Sequence, residues 1–135
     1  MAQTGQSTGE RPLSPHWQVW RWHVTMAASI LHRVAGMGLY LGLLILAGWA
    51  LSLELGPDAF GAYAGALANP AGLVILFLIV LGWLFHLANG VRHLFWDIGK
   101  GFRLRTADAT AWVAIAFAIL GTAAIVAALL AKGKL

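Results

Sequence analysis

Three long apolar stretches, joined by short polar connections, take up most of this 135-residue chain and decide what it can become. A helix that crosses a bilayer needs about 20 predominantly apolar residues. Residues 24–53, 71–97 and 109–131 each meet that length. Hydrophobic residues make up 60% of the chain and charged ones 10%, against roughly 25% charged in an ordinary soluble domain. A soluble fold of this size cannot hide so much apolar surface. A bilayer tolerates it, provided every backbone polar group is bonded within a helix. The expected fold class is therefore all-α, an integral membrane protein of three transmembrane helices. No stretch remains for a soluble catalytic domain, so no catalytic residue is assigned and the chain is expected to work with partners.

Charge narrows the choice of partner. The formal net charge is +4, from nine Lys and Arg against five Asp and Glu. These cations are scattered through chain ends and connections, where they act as topology signals and headgroup contacts. Membrane lipid is the expected partner and nucleic acid is not. Cysteine is absent, which excludes disulfides, thiolate-held iron–sulfur clusters and a C-x-x-C-H haem attachment within the chain. A tightly bound redox centre would have to use histidine.

The connections set the orientation. Residues 1–10 lack the basic start and apolar stretch of a signal peptide, and are too short and Arg-poor for a transit peptide. A bacterial inner membrane is expected rather than a mitochondrial one. Residues 11–23 carry Trp17, Trp20 and Trp22, which suit the headgroup level, so this stretch is expected to lie along the membrane surface. The 54–70 connection holds Glu54 and Asp58 but no Lys or Arg, and its middle (DAFGAYAGAL) suits a short surface helix. The 98–108 loop holds Lys100, Arg103 and Arg105. The positive-inside rule then places residues 1–23 and 98–108 in the cytoplasm and 54–70 in the periplasm. Lys132 and Lys134 oppose this bias mildly. The third span has no ionisable residue and much alanine, the composition of a closely packed scaffold helix.

The second span carries the most information. Its purely apolar part, residues 71–85, gives only about 22 Å of helix, short of a hydrocarbon core of about 30 Å. Crossing forces His86, and with it Asn89 and Gly90, into the membrane. At 100° per residue, His86, Gly90, His93 and Asp97 share one stripe. Ser29, Arg33, Gly36 and Tyr40 form a matching stripe on the first span, flanked by His32, and both stripes gather toward the same membrane side. Gly36 and Gly90 remove side chains where a bulky planar ligand would press on backbone. His86 is the best metal-ligand candidate, because neutral imidazole suits haem iron; the alternative is a buried histidine bonded to a neighbouring helix. His93, about 10 Å further along the same face, suits a haem propionate, and a second axial ligand would come from His32 or another subunit. Arg33 is either a snorkelling anchor or a fixed charge for a propionate or quinone oxygen, with Ser29 one turn away. Arg92 points about 120° from His86 and reads as a membrane-edge anchor, and Asp97 as a solvated or paired carboxylate.

Three motifs carry a family resemblance: S-P-H at 14–16, S-I-L-H-R-V-A-G at 29–36 and H-L-A-N-G-V-R-H-L-F-W-D-I-G-K-G at 86–101. In order and spacing they resemble the cytochrome b556 subunit of succinate dehydrogenase, respiratory complex II. Ala35 stands where that family usually has Thr, and Trp17 and Trp20 where it usually has Leu and Tyr. The resemblance implies a membrane anchor that completes a larger helical bundle with a second anchor subunit. It implies that His86 is one axial ligand of a shared haem b, the second anchor supplying the other. It implies that His32, Arg33 and His93 lie near the haem propionates, and that Ser29 and Arg33 belong to a ubiquinone pocket. The implied partners are the iron–sulfur and flavoprotein subunits, and the implied activity is electron transport linked to the tricarboxylic acid cycle.

Overall fold

Proline, asparagine and glycine set the helix ends. The computed structural model describes residues 21–133 and contains four helices: α1 (Val24–Glu54), α2 (Pro57–Ala68), α3 (Pro70–Asp97) and α4 (Leu104–Ala131). Pro57 and Pro70 open α2 and α3 at the position where a missing N–H costs nothing. Asn69 caps α3, its Oδ1 accepting from the Gly72 amide at 3.0 Å. At the other end of α3, Gly99 adopts a φ of +77°. Its amide donates to the Trp96 carbonyl at 2.8 Å, and the Lys100 amide donates to that of Phe95 at 2.9 Å. This bond pair is the Schellman stop that glycine makes possible.

The all-α class expected from sequence holds, since α1, α3 and α4 are long and apolar enough to cross a membrane. Helices of 28–31 residues span about 42–46 Å, enough to reach the headgroups on both sides of the core. Among the described residues there is no strand. α4 starts at Leu104, so the basic 98–108 loop is partly helical. Ser14, Pro15, His16, Trp17, Trp20 and Lys134, and most of the surface stretch expected over 11–23, lie outside the described residues.

α3 packs between α1 and α4, and α2 lies against α1 and α3. The seam with α4 is made of small residues. Ala107, Ala111, Ala114, Ala118 and Thr122 are buried at helical spacing, and Ala28 of α1 is fully buried in the same cluster. Small side chains let backbones approach where no hydrophobic driving force separates helix from lipid. Large apolar residues point outward instead: Met37 is 74% exposed, and Tyr40 and Trp112 are also open. A surface of this kind needs a bilayer or partner helices around it.

Candidate functional site

The two polar stripes read from sequence meet between α1 and α3. His86 Nδ1 lies 3.2 Å from the carbonyl oxygen of His32. A carbonyl only accepts, so Nδ1 carries the proton and Nε2 keeps its lone pair. The two rings also stack, with centroids 3.9 Å apart and planes 10° from parallel. His93 joins the stack on His32 at 5.0 Å and 27°. Its Nδ1 donates to the carbonyl of Asn89, one turn back, at 2.7 Å. Three half-buried imidazoles thus stand together with two of their tautomers fixed by backbone carbonyls.

The stack borders a cavity of about 780 Å³ between α1, α2 and α3, lined by Gly36, Tyr40, Leu43, Trp49, Trp83 and His86 among others. That volume is within the usual range for a cofactor or small-molecule site, about 300–1,000 Å³. Gly36 keeps the space beside His86 clear, because a Cβ there would lie 3.2 Å from His86 Cε1. Gly90 differs: among the described residues, a Cβ on it would meet nothing within 4 Å. Ser29 is half-buried and Arg33 exposed one turn further along α1, while Asp97 is exposed at the end of α3.

Two expectations change. His32, stacked flat against His86, is on the same side of any metal that His86 could bind and does not face it from the opposite side. If His86 held a metal, His32 would be its neighbour rather than a second ligand. Arg92 does point away from His86, but it is buried and not a headgroup anchor. Its guanidinium turns inward to α4, bonding Thr110 Oγ1, Asn89 Oδ1 and the Ala107 carbonyl. Sequence reasoning placed Asn89 in the membrane without giving it a role, and passed over Thr110 and Asp108. The available signal was the i, i+3 pairing of Asn89 with Arg92 inside a spanning helix.

Among the described residues, no group of three or more His, Asp or Glu could hold a metal ion by itself. A single histidine such as His86 suits a metal that brings most of its ligands with it, as haem does. The donor set fits that group. His86 offers a tautomer-locked Nε2 at a large cavity, and His32 Nδ1 is a buried polar atom with no partner among the described residues.

Comparison with known proteins agrees with the motifs. Residues 7–125 match the family described as succinate dehydrogenase/fumarate reductase transmembrane subunit. The chain belongs to this family. Among its relatives is the succinate dehydrogenase cytochrome b556 subunit of Rickettsia bellii, 36% identical over 115 residues, covering 84% of this chain and 88% of the relative. The Paracoccus denitrificans cytochrome b556 subunit is 32% identical over 112 residues, 83% of this chain and 86% of its own. The mouse mitochondrial cytochrome b560 subunit is 31% identical over 131 residues, 96% of this chain and 72% of its own. The resemblance drawn from the three motifs is borne out at the level of the family and of the cytochrome b membrane subunit. As a transmembrane subunit of this family, the chain has the three apolar helices that such a role requires.

Proposed function

We propose that the chain is the haem b-binding anchor of a succinate:quinone oxidoreductase in a bacterial inner membrane, non-catalytic alone, and that it helps form the ubiquinone-reduction site. The observation that carries this reading is the bond from His86 Nδ1 to the His32 carbonyl, at a cavity that Gly36 holds open. Such outer-shell bonds orient a metal-binding imidazole and raise its basicity. A histidine of a second anchor subunit, packed against the exposed face of α1 and α3, would help hold the same haem.

In this reading His86 would hold the haem iron through Nε2, its ring plane set by the His32 carbonyl and by the His32 stack. His32 and Arg33 would offer donors to the two propionates, where a guanidinium pairs well with a carboxylate, and His93, whose Nδ1 proton goes to the Asn89 carbonyl, would donate from Nε2 as an imidazolium. Bound there, haem b supplies a one-electron store beside the quinone. Ser29 and Arg33 hold the quinone oxygen: the hydroxyl orients it, and the fixed charge stabilises the negative charge that develops as electrons arrive from the iron–sulfur subunit. The flavoprotein subunit oxidises succinate outside the membrane, and two electrons with two protons convert the quinone to quinol at the cytoplasmic edge.

The test is a reduced-minus-oxidised absorption spectrum of the purified complex, wild type beside His86→Leu, with two activities measured on Ser29→Ala and Arg33→Leu. The expected spectrum has a b-type signal that the His86 variant loses or shifts. Losing a charge-assisted hydrogen bond costs about 1.5–3 kcal/mol, so quinone reduction by Arg33→Leu should fall about ten- to hundred-fold. Succinate oxidation by an artificial dye should survive in both. No haem signal in the wild type, or equal loss of both activities, would refute the proposal.

A further inference from the structure

On the side of α3 away from the histidine stack lies a buried cation. Arg92 is 6% exposed. Its Nε donates to Thr110 Oγ1 at 3.1 Å, Nη1 to Asn89 Oδ1 at 3.2 Å, and Nη2 to the Ala107 carbonyl at 3.1 Å. Its guanidinium carbon sits 4.0 Å from the centroid of the Trp96 ring, and Asp108 is close enough to act on it electrostatically. A charge inside a membrane helix bundle is expensive and is retained where it has a task. Holding α3 to α4 does not require one, because the alanine seam already brings the two backbones together.

Two of Arg92's contacts are the residues that hold His93. Asn89 is fully buried; its side chain receives Arg92 while its carbonyl receives His93 Nδ1 at 2.7 Å. Trp96 lies under the guanidinium and meets the His93 ring edge-on, with centroids 5.1 Å apart and planes at 73°. The α3 backbone sets the Asn89 carbonyl that His93 Nδ1 bonds, while the guanidinium holds the Asn89 side chain and the aromatic wall against the His93 ring. His93 stacks in turn on His32, and His32 on His86. We infer that Arg92 is a positioning residue for the histidine stack, acting through Trp96 to set the His93 ring plane and, through His32, the ring orientation of His86. The planar fork is what the task needs: three bonds in three directions, with a flat face left for the indole.

The inference rests on the haem reading, and its test separates the two. The purified complex is compared as wild type, Arg92→Lys and Thr110→Val, with the haem midpoint potential and the low-temperature EPR g-values measured per assembled haem. Arg92→Lys keeps the charge and loses the fork; Thr110→Val removes the acceptor of Nε together with the hydroxyl's bonds to the Thr106 and Ala107 carbonyls within α4. Both variants are expected to shift potential and g-values in one direction, Thr110→Val by less, with succinate-to-dye turnover per flavin at the wild-type level. A purely structural role would lower the yield of complex and leave both properties of each assembled haem unchanged, which overturns the inference. Should Arg92→Lys fail to assemble, Thr110→Val decides alone on the same criterion. A wild-type complex with no b-type signal overturns the haem reading and this inference together, whereas a wild-type signal unaltered in the variants overturns the inference only.

Discussion

At the scale of single residues, the site depends as much on a missing side chain as on the histidines. A Cβ on Gly36 would lie 3.2 Å from His86 Cε1 and 3.7 Å from Nδ1. The first is tighter than ordinary van der Waals contact, so the imidazole would have to yield by a few tenths of an ångström. Its Nδ1 bond to the His32 carbonyl, already 3.2 Å, would lengthen with the move. Within the helix itself, Gly→Ala is favourable by about 1 kcal/mol, so any loss at Gly36→Ala comes from the site and not from α1. Gly36→Ala is expected to assemble with a shifted or weakened b-type absorption, and Gly36→Val to assemble with little haem per flavin. Haem-to-flavin ratio and difference spectrum of the purified complexes check this. A Gly36→Val complex with wild-type haem content and spectrum would show that the cavity beside His86 is not where the group binds.

The elements owe their arrangement to a few corners that hydropathy does not reveal. Asn69 holds the α2–α3 turn from both sides: Oδ1 accepts from the Gly72 amide, and Nδ2 donates to the Ala66 carbonyl at 2.7 Å. Gly72 is buried there, and a Cβ on it would collide with the Leu67 carbonyl oxygen, which belongs to backbone and has no rotamer to escape into. Losing an N-cap costs about 1 kcal/mol, so Asn69→Ala should lower the melting temperature of the detergent-solubilised complex modestly. Gly72→Ala should lower it further, because the turn must open; equal melting temperatures for the two variants would contradict this account. The three long helices were legible in sequence because their apolar runs far exceed what a soluble core can hide, and the shortness of residues 71–85 forced His86 into the span. The start of α4 at Leu104 was not legible, since hydropathy marks where the lipid begins, whereas a helix can run on through polar residues such as Arg105 and Asp108 in the headgroup layer. Arg92 shows the same limit at the site. Its direction followed from 100° per residue, but whether headgroups or α4 lay in that direction depended on the hydroxyl and carbonyl that α4 brings.

For the whole molecule, the polar network and the histidine stack lie toward one end of an otherwise apolar bundle, so the orientation of the chain decides which compartment they serve. Lys100, Arg103 and Arg105 flank the end of α3 that carries His93 and Arg92, whereas the α1–α2 connection and α2 carry Glu54 and Asp58. Each Lys or Arg near an anionic cytoplasmic leaflet is worth about 1 kcal/mol, so three in one loop outweigh Lys132 at the opposite end. The quinone reading requires that orientation, because electrons arrive from soluble subunits and the site must open toward them. The chain has no cysteine, which makes the question directly measurable with single Asp58→Cys and Lys100→Cys variants. A membrane-impermeant maleimide applied to intact cells with a permeable outer membrane should label the Asp58 variant fully. The Lys100 variant should stay unlabelled until the inner membrane is broken, and then react only where the assembled soluble subunits leave it open. The reverse pattern would turn the bundle over and put His32, His86 and His93 beneath the periplasmic face. An anchor in that orientation could not receive electrons from a cytoplasmic iron–sulfur subunit, so the quinone assignment of Ser29 and Arg33 would fall with it.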